Sequence, residues 1–275
     1  MKRIICPTDF SNNASTALDC AISIALKFDA DLDLINTYHV NVSHYGFFEH
    51  LDEKMKEHSL SGLKEAKDYA ISKGLSEDKV HGFSQHGLLV DIVRRMNTEF
   101  NHDLIIMGTK GVSGMDELLI GSRAADVVSA TTKPVLVVPE DAKDFDFDKM
   151  VYAADFKDVK TRNDLTALKE MAKEYGSHVD ILRVLKEGDE ETAFQDFDKT
   201  GVKLDQWLQN VEHSFHYEEC DKIEEGIENF IKKTNPKLLA VLARKHGLLG
   251  SLFHKSISQK LTFHTHVPLL VMKER

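Results

Sequence analysis

Residues 103–139 read DLIIMGTKGVSGMDELLIGSRAADVVSATTKPVLVVP, and this stretch decides the fold. It opens with a short apolar run, Leu104 to Met107, and a loop with Gly108, Gly111 and Gly114 follows. An amphipathic segment leads to Gly121-Ser122, which opens a second helical pattern, and Pro134 with Val135 to Val138 closes the stretch. Both apolar runs are short and bounded by turn signals, as buried parallel strands are. A strand, a glycine loop and a helix in that order suit an anion. Glycine lets backbone N–H groups come close, and a helix N-terminus adds about half a positive charge. Neither the Walker A pattern nor G-x-G-x-x-G occurs, so a P-loop NTPase and a dinucleotide-binding Rossmann domain are not indicated.

The same alternation runs outward from this stretch. Residues 3–6 form a first strand ending in Pro7-Thr8-Asp9-Phe10-Ser11. Residues 12–28 form a helix with Ala17, Leu18, Ala21, Ile22 and Ala25 on one face, capped by Ser11 or Asn12. A second strand around Leu32 to Ile35 precedes a polar, aromatic turn (36–45), a long charged helix (51–73), a weak strand (80–83) and a helix (88–100). The acidic segment EDAKDFDFD (140–148) reads as a linker, and the pattern then restarts. Residues 150–153 repeat the first strand, and Ala154-Asp155-Phe156 echoes Thr8-Asp9-Phe10. Helices are expected at 165–175 and 223–233, and strands at 179–184, 211–215, 238–242 and 267–272. This is an internal duplication of roughly half the chain. The expectation is α/β: two tandem open parallel five-stranded sheets flanked by helices, with domains 1–140 and 149–275 and residues 141–148 between them.

Gly108, two residues, Gly111, nine residues, then Gly121-Ser122 is the G-x2-G-x9-G-[ST] pattern of the universal stress protein family. The first repeat resembles that family's ATP-binding branch, and the tandem pair extends the resemblance over nearly the whole chain. The resemblance implies that Pro7, Thr8 and Asp9 form one wall of a nucleotide site. It places Thr37 and Met107 by the adenine, and Gly108, Thr109, Lys110 and Gly111 around the ribose and first phosphates. Gly121, Ser122, Arg123 and Ala124 would hold the outer phosphates. ATP (or ADP or AMP) is the implied cofactor, with Mg2+ brought by the phosphates, since Mg2+ uses one or two carboxylates plus phosphate oxygens. Each residue also has an ordinary reading: Asp9 as a helix N-terminal carboxylate, Ser122 as a cap, Met107 as core, and Lys110 and Arg123 as solvated surface charges.

The second repeat has Ala243-Arg244-Lys245-His246 where the first has Gly108-Thr109-Lys110-Gly111, and Lys255-Ser256 opposite Gly121-Ser122. Its Cβ atoms would obstruct phosphates, so ATP is expected in the first half only. His264 and His266 (FHTHVP) could share one face and meet one metal ion, and His213, His216 and Cys220 lie near another strand end.

With 275 residues the chain holds about two domains, and 42% hydrophobic residues suffice for real cores. A net charge of −10 argues against nucleic acid as the main partner. No apolar run is long enough to span a membrane, and Pro7 and Asp9 cut short the only N-terminal apolar run, so no signal peptide is expected. Three cysteines without metal-ligand spacing fit a reduced, cytoplasmic protein. No catalytic constellation stands out, so the reading favours a stress-response signalling module with an unknown protein partner. Its halves are expected to form an internal pseudo-dimer through residues 135–138 and 269–272, with room for a further homodimer. The rival readings are a slow ATPase or ATP-cleaving enzyme of the adenine-nucleotide α hydrolase-like group, and a nucleotide-independent interaction protein.

Overall fold

A computed structural model describes residues 1–39, 49–109, 122–154, 162–186, 200–243 and 267–274. In the first half β1 (Arg3–Pro7), α1 (Asn12–Phe28), β2 (Asp31–Tyr38), α2 (Glu49–Ser72), β3 (Val80–His86), α3 (Leu89–Phe100), β4 (Leu104–Gly108), α4 (Ser122–Ala130) and β5 (Val135–Val138) alternate. In the second half come β6 (Lys149–Ala153), α5 (Thr166–Tyr175), β7 (His178–Leu185), α6 (Val202–Trp207), β8 (Glu212–Glu219), α7 (Ile223–Thr234), β9 (Leu238–Ala243) and β10 (Leu269–Lys273). The helix α6 has no counterpart among the sequence expectations. The strands β3 and β8 run longer than expected, because as edge strands they are half-exposed and carry a weak apolar signal.

The strand order is β3-β2-β1-β4-β5-β10-β9-β6-β7-β8 in one ten-stranded sheet. Pairing within each set of five is parallel, and β5 meets β10 antiparallel, with Leu136 opposite Leu270. Instead of two separate sheets, the halves share one mixed sheet. The reason lies in the joining strands. Val135 to Val138 are all buried, as are Leu269 to Met272, so neither strand has a wet face. Left as edges they would present unpaired N–H and C=O groups, and pairing removes both edges. The antiparallel join puts the carboxyl ends of the first five strands and of the second five at opposite edges of the sheet.

Alternation along each strand feeds two apolar layers that cross the join. Ile4, Cys6, Leu104, Ile106, Leu136, Val138, Leu270 and Met272 point to one face, where α1 and α5 pack. Ile5, Ile105, Met107, Val135, Val137, Leu269 and Val271 point to the other, under α3, α4 and α7. Alanines at 17, 21 and 25 line the buried side of α1. Ser11 caps that helix, its Oγ accepting from the Ala14 N–H at 3.2 Å, and Asp29 ends it in the left-handed region at φ 52°.

Residues 140–148 are not a free tether. The Phe147 side chain is fully buried, Thr16 Oγ1 donates to the Glu140 carbonyl at 3.0 Å, and Ser23 Oγ donates to the Phe145 carbonyl at 3.2 Å. No helix among the described residues is long and apolar enough to cross a membrane.

Candidate functional site

In the first half β1 connects outward to β2 on one side, while β4 lies against its other side. The crevice between the carboxyl ends of β1 and β4 is therefore the point where the strand order reverses. Open α/β sheets bind ligands at that point. Pro7, Thr8 and Asp9 form one bank, and Met107, Gly108 and Thr109 form the other.

The first bank is held from several directions. The Thr8 N–H donates to the Ile35 carbonyl at 2.8 Å, and Asn36 Nδ2 donates to the Thr8 carbonyl at 2.8 Å. Phe10 takes a left-handed backbone at φ 63°, and its N–H donates to Thr8 Oγ1 at 3.1 Å. Its ring lies over Gly62 of α2, where any Cβ would fall 2.5 Å from the ring. Asp9 Oδ1 accepts from both the N–H and the hydroxyl of Ser11, at 3.2 and 2.6 Å. So Asp9 organises the start of α1, as its ordinary reading supposed. Its Oδ2 faces Arg123 Nη1 at 3.4 Å, which ties the β1 loop to the start of α4. Arg123 is 64% exposed, and such a surface pair is worth about 0–1 kcal/mol, so the guanidinium can turn to an incoming anion at little cost.

On the second bank, Gly108 ends β4 against α1. A Cβ there would meet Asn13 Oδ1 at 2.2 Å and the Asn13 backbone carbonyl oxygen at 3.0 Å. The glycine is thus required by close packing. We expect Gly108→Ala to destabilise the protein by about 1–3 kcal/mol without any ligand present, measured by urea denaturation. A midpoint equal to that of the parent would remove this explanation. Asn13 is 3% exposed and donates from Nδ2 to the Val138 carbonyl at 3.3 Å, and Thr109 N–H donates to the same oxygen at 3.1 Å.

Met107 and Ala124 are core side chains, 5% and 1% exposed, in the layer under α3 and α4. Thr37 is half-buried at the end of β2. Ser122 is the exposed first residue of α4. Lys110, Gly111 and Gly121 lie outside the described residues, as do His264 and His266. His213 hydrogen-bonds the Val211 carbonyl at 2.8 Å and faces Asp205 at 3.2 Å, apart from His216. The Cys6 thiol beneath the crevice is pushed up to about 12 by burial, which leaves it a poor nucleophile.

Asn13, Asn36 and Phe10 carry the geometry, and the sequence reading did not single them out. For Asn13 a signal existed: it stands four residues before Ala17 and eight before Ala21, on the apolar face of α1, where a polar residue needs a reason.

Register equates the two halves residue by residue. Asp103 N–H donates to Arg3 O as Lys237 N–H donates to Lys149 O, so β9 follows β4 with Leu242 opposite Gly108. The alignment that set Ala243 opposite Gly108 is therefore one residue out, because β9 carries one residue more than β4. Leu242 is 3% exposed, bulkier still than the alanine expected there.

A model of the universal stress protein family matches residues 1–139. A universal stress protein of Methanocaldococcus jannaschii is 34% identical over 149 residues, covering 52% of this chain and 85% of that protein. The universal stress protein YxiE of Bacillus subtilis is 27% identical over 150 residues, covering 50% of this chain and 97% of its own. The crystal structure of a universal stress protein from Archaeoglobus fulgidus covers 99% of this chain and 98% of its own, with a TM-score of 0.73 at 19% identity. That likeness extends the shared fold over both halves.

Proposed function

The chain belongs to the universal stress protein family, and from that premise we propose that its first half binds an adenine nucleotide, ATP foremost, as a regulatory module. The observation that carries this is the placement of the glycine pattern. Gly108, the first member of G-x2-G-x9-G-[ST], ends β4 at the reversal point, facing the Thr8-Asp9 loop. Lys110, Gly111 and Gly121 would wrap the phosphates, Arg123 would supply positive charge, and the start of α4 would supply N–H groups. Mg2+ would arrive with the phosphates. Asp9 is the nearest carboxylate named for the site, and it already serves Ser11 and Arg123, so it fits at most one ion oxygen contact.

The proposal divides the chain into a nucleotide-binding domain (1–140), a packed connector (141–148) and a second domain (149–275). In the second domain Leu242 fills the place of Gly108, so it does not take nucleotide in the same way.

The test is calorimetric titration of the intact chain with ATP, beside a Gly111→Val, Gly121→Val double variant. Those two positions are preferable to Gly108, whose substitution disturbs packing in any case. Binding near one ATP per chain, lost in the variant, is expected. No binding at millimolar ATP, or equal binding by the variant, would sink the proposal.

A further inference from the structure

Two residues of the first half sit where their own chemistry is disfavoured, and they touch. Phe10 follows β1 with a left-handed backbone at φ 63°, a region that bulky L residues rarely adopt. Gly62 stands inside the 24-residue helix α2, where glycine weakens a helix relative to alanine. One contact accounts for both. The tip of the Phe10 ring lies on Gly62, and a Cβ there would fall 2.5, 2.6 and 2.8 Å from three ring carbons. His58, one turn earlier on the same face, meets the ring edge-on at 5.8 Å between centroids. The left-handed turn brings the ring onto α2, and the missing Cβ makes its seat.

The seat is held without help from the ring. Leu63 and Ala70 of α2 are buried in the layer that α1 also covers. Ser59 Oγ, on a side chain in a residue 1% exposed, accepts from Ser84 Oγ of β3 at 2.8 Å. Tyr69 donates to Asp19 of α1 at 2.7 Å. On the other side of the contact lie the residues of the candidate crevice. The Phe10 N–H donates to Thr8 Oγ1, and Asp9, its neighbour in the chain, turns its carboxylate to Ser11 and Arg123. A ring fixed on α2 therefore fixes the backbone from which Thr8 and Asp9 project.

Resting on the adenine-nucleotide reading of that crevice, we propose that Phe10 is a positioning residue for it, seated on Gly62 so that α2 sets the geometry of the Thr8-Asp9 bank. Nucleotide affinity is then tuned from a helix that lies outside the crevice. A ring that only filled space would behave differently. An added methyl at position 62 would then push the ring tip aside, raise the helix propensity of α2 and leave the crevice as it was.

The experiment uses the intact chain as the parent, Gly62→Ala, Phe10→Ala, and Phe10→Leu combined with Gly62→Ala. Alanine favours α2, so Gly62→Ala should fold, as circular dichroism would confirm. Phe10→Ala removes the ring and keeps the glycine, and the shorter leucine leaves room for the methyl at position 62. Amide hydrogen exchange of residues 8–11 is read without nucleotide, and ATP affinity is read by calorimetry. In Gly62→Ala and in Phe10→Ala, exchange at residues 8–11 should quicken about tenfold and ATP affinity should fall by a similar factor, with residues 104–107 as protected as in the parent. The double variant should recover most of both losses relative to Gly62→Ala, the coupling expected of two residues in contact. Unchanged exchange or unchanged affinity in Gly62→Ala, or a double variant no better than Gly62→Ala, would overturn the proposal while the nucleotide reading stands. A parent that binds no ATP would overturn both.

Discussion

Phe147→Ala should cost about 3–5 kcal/mol of stability, more than any other single truncation in the connector. The Phe147 side chain is 0% exposed, and its ring lies edge-on to Tyr175 at 5.3 Å between centroids and 6.2 Å from Phe145. Tyr175 in turn meets Phe28 at the end of α1, so the two halves share one aromatic cluster. Ser177 Oγ also donates to the Phe147 carbonyl at 2.6 Å. The backbone of Phe147 stands at φ 40°, where an L side chain carries about 1–2 kcal/mol of strain. Burial of the ring outweighs that strain, and truncation removes the burial while keeping the strain. Guanidinium denaturation of the variant against the parent reads the loss. Phe145→Ala, at a partly buried ring, is the milder comparison. A loss below about 1 kcal/mol for Phe147→Ala would mean that the aromatic cluster does not hold the halves together.

Asp33→Ala should be comparably severe, at about 3–5 kcal/mol, because it strips the partner from two donors at a dry site. Arg3 reaches the carboxylate with Nε at 2.8 Å and Nη2 at 3.1 Å, and stacks over the Phe100 ring at 4.4 Å. His102 is itself 0% exposed, with its other ring nitrogen 3.0 Å from Asn97 Oδ1. Burial pushes the Asp33 carboxyl up, but hydrogen bonds from His102 and Arg3 and the Arg3 charge overcome it and hold the carboxyl below its usual range. The sign follows from that direction. The unfolded chain binds the proton first, near the ordinary value of about 3.9, so the network's contribution is complete above that pH. It is lost as pH falls through the lower folded value. Denaturation midpoints from pH 6 to pH 2 should therefore fall more steeply in the parent than in Asp33→Ala. Parallel curves would remove Asp33 from the acid sensitivity.

Much of the architecture was legible because its signals are local. The runs at Leu104 to Met107 and Val135 to Val138 are apolar at every position, so each is a strand covered on both faces. Ala17, Leu18, Ala21 and Ile22 repeat at helical spacing, and that period places α1 against a sheet. The edge strand β8 was harder to delimit, since Glu212, His213 and Glu218 dilute its pattern where water covers it. At the site, spacing pointed to Gly108 and the β1 loop as two banks of one crevice. It could not tell that Gly108 is demanded by Asn13, or that Asp9 reaches Arg123. Those contacts join residues about 100 positions apart, and no local period records them.

By itself the sequence determined the duplication, the alternation of strand and helix in each copy, and which copy keeps the glycine pattern. These follow from composition and period, which report how each residue is covered. The sequence expected residues 135–138 and 269–272 to meet, but tertiary structure alone decided that β5 and β10 pair antiparallel, so that one sheet and two continuous apolar layers replace two separate cores. It also decided that Phe147 of an acidic connector belongs to the core, and that Asp33 and its copy Asp180 find different partners. The physical reason is the same in each case. An apolar strand, a lone phenylalanine or a buried carboxylate announces that it needs a partner, and only the assembled chain supplies which one.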